Sequence, residues 1–282
     1  MKTETNFVFA EESPDFLEPI GTIYDDTTNQ KYIESIEDYF FEKEGGVRRR
    51  LTTVELGCAG GRIVKDMVER GHDSYGLEGT PFPLFSARPA WLEYYNTRIF
   101  NCDLSKPFKL LEDDGSIKTF DVISHWEFLE HLHPSCLDYF HARLWTHLKP
   151  EGSIFCGVSP WGPTLNRDKI DNDSPLKTHA MNNKHHQSCF WREEWEKLYW
   201  NKYFNVHEYP LEGTLRDDWD EELGLGSFYV HLTRKNDDNI KEQVRAVIEN
   251  FEKKYENKVG RKKEDLMISV TNLSFGLRKK QL

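Results

Sequence analysis

The chain has no long apolar run, no paired cysteines and no surplus of positive charge, and each absence removes a class of function. No stretch is long enough to cross a bilayer, and Met1-Lys2-Thr3-Glu4-Thr5-Asn6 lacks an apolar signal-peptide core. The expectation is a cytoplasmic protein with no membrane partner. The five cysteines, Cys58, Cys102, Cys136, Cys156 and Cys189, form no C-x-x-C pair. An odd count, with four of the five in or beside core-like segments, argues for buried apolar thiols rather than disulfides or a cysteine zinc site. Lys and Arg number 37 against 48 Asp and Glu, a formal net charge of −11. So acidic a surface repels a phosphate backbone, which favours a small ligand over a long nucleic acid. Internal repeats and low-complexity tracts are also missing.

What is present is material for a core: 282 residues, 38% hydrophobic and 13% aromatic, enough for one large domain or a domain with an appendage. Tyr32, Ile33, Ile36, Tyr39 and Phe40 recur at helical spacing and predict a helix over 29–44, closed by Gly45-Gly46. Strands are expected at Thr52–Cys58, Ser74–Glu78, Arg98–Asp103, Phe120–His125 and Ser153–Ser159. Helices are expected between them at Arg62–Arg70, Phe82–Tyr95 and Pro134–Leu148. That alternation implies βαβ units and a parallel sheet. Two more strands, Phe204–Tyr209 and Ser227–Thr233, are placed to close it as an antiparallel hairpin with a long connection. The fold class is therefore α/β: a Rossmann-like, seven-stranded, mostly parallel sheet flanked by helices, its last strand antiparallel. Ile240, Val244, Val247, Ile248, Phe251 and Tyr255 fall on one face of a helix over 239–255. The chain divides into a domain at 1–235, with a polar lid insertion at about 160–189, and a C-terminal helical extension at 236–282. In that extension, Met267–Leu277 is apolar enough to pack.

The segment Val54-Glu55-Leu56-Gly57-Cys58-Ala59-Gly60-Gly61-Arg62 reads as a buried strand entering a glycine-rich turn before a helix. An acid, Glu78, closes the next strand. Such a turn lets backbone approach a nucleotide-like ligand, and the acid bonds ribose hydroxyls. Glu55-x-Gly57-Cys58-x-x-Gly61-Arg62 resembles motif I of class I methyltransferases dependent on S-adenosylmethionine (SAM). Leu77-Glu78 is similar to their ribose-binding acid, and Asn101-Cys102-Asp103-Leu104 to their adenine-edge motif. Phe120-Asp121-Val122-Ile123 looks like their fourth strand, and Leu148-Lys149-Pro150-Glu151-Gly152-Ser153 like the turn before their fifth. Five motifs in order cover roughly residues 30–235. The resemblance implies SAM as cofactor, held by Glu55, Gly57, Cys58, Ala59, Gly61, Arg62, Glu78, Gly79, Cys102, Asp103, Leu104, His125 and Trp126. Ala59 departs from the glycine common there and demands a backbone open to an L-residue.

In an open α/β sheet the acceptor meets the cofactor outside the carboxyl ends of the strands. The segment leaving the fourth predicted strand reads His125-Trp126-Glu127-Phe128-Leu129-Glu130-His131. Its E-x-x-E-H resembles ubiquinone-biosynthesis and sugar O-methyltransferases. It also resembles small-RNA 3′-terminal 2′-O-methyltransferases, which add a later histidine and a divalent metal. Here that histidine is His186. Glu127, Glu130, His131 and His186 are the candidate ligands for Mg²⁺ or Mn²⁺, and His131 with Glu130 the candidate catalytic pair. Trp161 follows the fifth strand, placed to stack on an acceptor. Trp195 and Trp200 read as core aromatics, while His141 and His147 read as surface or core-edge groups.

The leading expectation is O-methylation of a small-molecule or sugar hydroxyl, by a monomer or homodimer. The enzyme alternative is a metal-dependent RNA 2′-O-methyltransferase with a local basic groove at Arg167, Lys169, Lys177 and Lys184. An alternative of another class is a non-catalytic SAM-fold binding module. A nicotinamide oxidoreductase suits the later motifs least.

Overall fold

The computed structural model describes residues 1–17, 30–162, 185–211 and 227–260. Nine strands are present there: β1 (Lys2–Glu4), β2 (Thr52–Leu56), β3 (Asp73–Glu78), β4 (Ile99–Asn101), β5 (Lys109–Leu111), β6 (Phe120–Trp126), β7 (Leu148–Val158), β8 (Phe204–His207) and β9 (Phe228–Arg234). Four helices have eight residues or more: α1 (Gln30–Lys43), α2 (Arg62–Glu69), α3 (Pro134–His147) and α4 (Asp238–Lys253). Seven strands form one sheet in the order β4-β3-β2-β6-β7-β9-β8. Neighbouring pairs from β4 to β7 are parallel. Strand β9 runs antiparallel to both β7 and β8. The expected Rossmann-like architecture, including its antiparallel last strand, is the one observed.

The strands alternate across the sheet, which gives each face its own core. On one face Val54, Leu77, Ile123, Ile154 and Leu232 pack with Leu137, Phe140 and Leu144 of α3 and Val244, Ile248 and Phe251 of α4. On the other, Val122 and Phe155 pack with Ile33, Ile36 and Phe40 of α1 and Met67 of α2. Helix α4 thus shares the main core: Phe251 stacks on Tyr139 with ring centroids 4.2 Å apart. Among the described residues no helix is long and apolar enough to cross a membrane.

Several expectations need correction. The single helix expected over Phe82–Tyr95 is two short ones, Phe82–Phe85 and Pro89–Tyr94. Ala87 takes a left-handed φ of 55°, and Arg88 is extended ahead of Pro89, because proline's ring excludes helical backbone before it. His141 and His147 are buried, not surface groups. Helix α3 lies between the sheet, α4 and the 192–203 helical stretch, so it has little exposed face. His141 Nδ1–H donates to the Leu137 carbonyl at 2.7 Å, and His147 to the Lys118 carbonyl at 2.8 Å. The N-terminal segment, for which no strand was expected, contributes β1, which pairs antiparallel with β5. Trp195 and Trp200 are fully buried with rings stacked 5.8 Å apart, as expected. Most of the lid at 160–189, the proposed groove residues Arg167, Lys169, Lys177 and Lys184, and Met267–Leu277 lie outside the described residues.

Candidate active site

The sheet order reverses between β2 and β6. The chain steps outward from β2 through β3 to β4, then returns to β6 on the other side of β2. Such a switch point leaves a crevice at the carboxyl ends of the two central strands. Glu55 to Gly57 and Trp126 to Phe128 border it.

The glycine turn is built by backbone that runs left-handed. Gly57, Ala59 and Gly61 have φ of 69°, 44° and 75°. The Gly57 and Cys58 amides donate to the Leu77 carbonyl at 2.8 and 3.0 Å. Ala59 is an L-residue in a region that disfavours Cβ, and two bonds hold it there. Its amide donates to Glu78 Oε2 at 3.0 Å, and its carbonyl accepts from Trp91 Nε1–H at 2.8 Å. A Cβ on Gly57 would lie 2.6 Å from the Phe128 ring. The turn and the segment after β6 are therefore in direct contact.

Three acids stand along the ends of adjacent strands, each largely buried: Glu55 on β2, Glu78 on β3 and Asp103 just past β4. Glu78 also accepts from the Thr80 amide at 3.1 Å. Burial pushes its carboxyl up to about 7, against the opposing pull of the backbone donors at Thr80, Ala59 and Gly79. Asp103 Oδ1 accepts from the Ser105 amide at 2.9 Å and hydroxyl at 2.6 Å, a turn-forming role. Each carboxylate has more acceptor sites than these bonds use. A row of acids beside a left-handed glycine turn suits a ribose-bearing, cationic ligand such as SAM.

Not every residue assigned to the cofactor offers its side chain to the crevice. Cys58 packs against Val64, Ala90, Trp91 and Ile99. Burial, then the Glu78 and Glu55 charges, push its thiol well above the usual range. Cys102 is fully buried and Leu104 nearly so. Arg62 turns along its helix to Asp66 at 2.9 Å. The His125 ring is buried near Phe128 and Phe140 and is pushed down to about 3 by that burial. Cys58, Cys102, Leu104 and His125 turn their side chains into the core and leave only backbone for a ligand, His125 through strand alternation on β6. Trp126 forms an aromatic group with Tyr32, Tyr209 and Tyr229.

The acceptor-side residues converge. After β6 the chain turns sharply at Glu127, whose φ of 48° is left-handed. Leu129–His131 then forms a single 3₁₀ turn. Ligating atoms of Glu130, His131 and His186 lie within 4.8 Å of one another. The His131 and His186 rings meet edge to face at 4.8 Å. Glu127 and Glu130 share a hydrogen bond, and burial followed by the Glu127 charge pushes the Glu130 carboxyl well above its usual range. The segment that carries His186 is docked by backbone. The Gln187 and Ser188 amides donate to the Glu130 carbonyl at 2.6 and 3.0 Å. The Ser159 amide donates to Glu130 Oε1 at 3.1 Å. His186 Nδ1–H donates to the Trp161 carbonyl at 2.5 Å. Burial and the neighbouring His131 push His186 down to about 4, so its ring is neutral near pH 7. Trp161 is itself buried, edge-on to Trp191.

Glu130 and two imidazoles make a donor set that suits a divalent ion, with Glu127 beside Glu130, and the mixture favours Mn²⁺ over Mg²⁺. A fully buried carboxyl hydrogen-bonded to a second one needs either a shared proton or a cation. One residue escaped the sequence reading altogether: Asp15 accepts from His131 Nδ1–H at 2.5 Å. It is 116 residues away from His131, in a segment with no recognisable motif, so nothing local signals it.

The strand order and the antiparallel last strand define the Rossmann-like fold that the methyltransferase resemblance implies. The chain is similar to a TehB-like SAM-dependent methyltransferase from Corynebacterium glutamicum, with 13% identity, 73% of this chain and 98% of that chain covered, and a TM-score of 0.45. It is similar to DhpI, solved with SAH (12% identity, 82% and 98% covered, TM-score 0.48). It is also similar to the plantazolicin methyltransferase BpumL, solved with a pentazolic desmethylPZN analogue and SAH (14% identity, 79% and 88% covered, TM-score 0.48). No protein-family model matches the chain, and no curated protein does. Likeness at this level carries neither acceptor nor mechanism across, and both have to be read from the site.

Proposed function

We propose that the chain is a SAM-dependent methyltransferase that methylates a hydroxyl of a small molecule or sugar, with the acceptor held at Glu127, Glu130, His131 and His186. One observation carries this reading: Glu130, His131 and His186 converge, with Glu127 hydrogen-bonded to Glu130, on the segment that touches the glycine turn at the sheet's switch point. SAM would supply an already activated methyl group. The protein's part is then to bind, align and deprotonate. The turn from Gly57 to Gly61 and the acids Glu55, Glu78 and Asp103 would hold the donor. Phe128, pressed on Gly57, fixes the distance between the two halves of the site. The two carboxylates and two histidines would bind a divalent ion, which lowers the pKa of a bound hydroxyl. Without an ion, His131 with Glu130 would instead receive the proton leaving that hydroxyl. Net acidity favours a small acceptor.

The same cluster supports a second reading, the terminal ribose of an RNA, whose hydroxyls are a similar target. Chelation and acceptor choice separate these. Methyl transfer from labelled SAM to hydroxyl acceptors is expected to fall on EDTA treatment and return with Mn²⁺. Glu130→Gln is expected to abolish it. Transfer that is unaffected by EDTA and by Glu130→Gln would remove the cluster from the chemistry. Transfer to RNA 3′ ends alone would select the second reading.

A further inference from the structure

The N-terminal segment crosses the open end of the sheet. It is tied down first by β1 on β5. Thr5 Oγ1–H donates to the Pro107 carbonyl at 2.8 Å. The Asp103 amide donates to the Phe7 carbonyl at 3.0 Å, and the Ala10 amide to the Gly79 carbonyl at 2.9 Å. Approach at Gly79 is so close that a Cβ there would meet Ala10 at 2.7 Å. Phe9 is buried, and Lys106 pairs with Glu12. The end of the C-terminal helical region braces the segment from outside. Tyr255 meets Phe7 edge-on at 5.5 Å, and the Gly260 amide donates to the Asn6 carbonyl at 3.0 Å. One continuous segment therefore touches the residues at Glu78 and Asp103 and ends at the histidines. There Asp15 Oδ2 accepts from His131 Nδ1–H at 2.5 Å, while Asp15 Oδ1 lies 3.0 Å from His185 Nδ1.

We propose that Asp15 is a positioning residue of the active site: it fixes His131 as the tautomer protonated on Nδ1, so that the bare Nε2 is the nitrogen offered to the acceptor cluster. A neutral imidazole has one donor and one acceptor nitrogen, and the bond made by one decides the role of the other. A carboxylate behind a ligating or basic histidine orients the ring and raises its basicity. His186 follows the same design, with the Trp161 carbonyl taking its Nδ1–H. Both rings then keep Nε2 unprotonated. The use made of that nitrogen rests on the methyltransferase reading above; the tautomer itself does not.

The test uses the full chain labelled with ¹⁵N-histidine. Long-range nitrogen–proton correlation spectra read the tautomer of each ring, and His131→Gln identifies the His131 signals. Wild type is expected to carry the His131 proton on Nδ1. Asp15→Asn, whose amide oxygen still accepts, is expected to keep it there. Asp15→Ala is expected to shift the ring toward the Nε2-protonated form. Mn²⁺ affinity, measured by titrating the metal alone, is expected to fall about 10- to 100-fold in Asp15→Ala and to be partly rescued in Asp15→Asn. A wild-type His131 protonated on Nε2 would overturn the proposal, as would a tautomer that ignores Asp15→Ala. If wild type takes up no Mn²⁺ but the tautomer responds as stated, the metal reading fails and the assignment of Asp15 stands.

Discussion

Gly57→Ala probes the contact that joins the two halves of the site, and Gly45→Ala is its internal control. Both glycines are left-handed, with φ of 69° and 70°. An L-residue there loses roughly 1–2 kcal/mol. They differ in what a Cβ meets: nothing within 4 Å at Gly45, but the Phe128 ring at 2.6 Å at Gly57. Relieving that overlap moves a ring packed 5.7 Å from Phe140, an overpacking worth about 1–3 kcal/mol. Gly45→Ala is therefore expected to destabilise by roughly 1–2 kcal/mol and Gly57→Ala by roughly 2–5 kcal/mol. Urea unfolding of both variants measures the difference. SAM titration should show weakened binding only in Gly57→Ala. In a double-mutant cycle, Phe128→Ala should recover much of the excess cost. Equal destabilisation of the two variants, with unchanged SAM affinity in both, would refute the contact between the turn and the segment after β6.

Two further outcomes follow from the core. Burial, more than any neighbour, pushes His147 down to about 4. Because its folded value lies below the ordinary 6.5, the unfolded chain takes up the proton first. The stability from the neutral ring is full above pH 6.5 and is lost as pH falls toward 4, by about 3 kcal/mol. His147→Gln should flatten the fall in urea stability across that window, and an unchanged slope would contradict the buried neutral ring. Phe251→Ala removes the ring stacked on Tyr139 and should lower stability by about 3 kcal/mol. A loss under 1 kcal/mol would mean that α4 is an independent appendage rather than part of the main core.

The alternation of strands and helices is legible in the sequence because strands such as Thr52–Leu56 and Phe120–Trp126, buried except at one end residue, are short segments rich in β-branched and aromatic residues and followed by glycine or charge. Strands β1 and β5 are not legible, since three residues carry no period. The break at Ala87 and Pro89 was hidden by apolar residues that continue on either side, although Pro89 itself is a signal for it. At the site, the E-x-x-E-H segment and His186 are readable as residue types, and the structure brings together the ligating groups of Glu130, His131 and His186, leaving Glu127 outside that group. Which side chains face the crevice is decided by the backbone's direction at each position. Strand parity on β6 turns His125 inward, and the loops leaving β2 and β4 do the same for Cys58 and Cys102. Asp15 depends on a tertiary path through Phe7, Ala10 and Glu12 that no local pattern encodes.

The central claim is that the crevice between β2 and β6 binds SAM through the glycine turn and Glu78. Calorimetric titration of SAM into the full chain between pH 6 and 8 tests it most directly. Glu78 is held up at about 7 by burial, and only its ionised form accepts two ribose hydroxyls. SAM affinity is therefore predicted to rise with pH through that range, by up to about tenfold per unit below the pKa. Glu78→Gln should weaken binding and flatten the dependence. A folded wild-type chain that does not bind SAM, or a Glu78→Gln variant that binds it equally well with the same pH profile, would contradict the account.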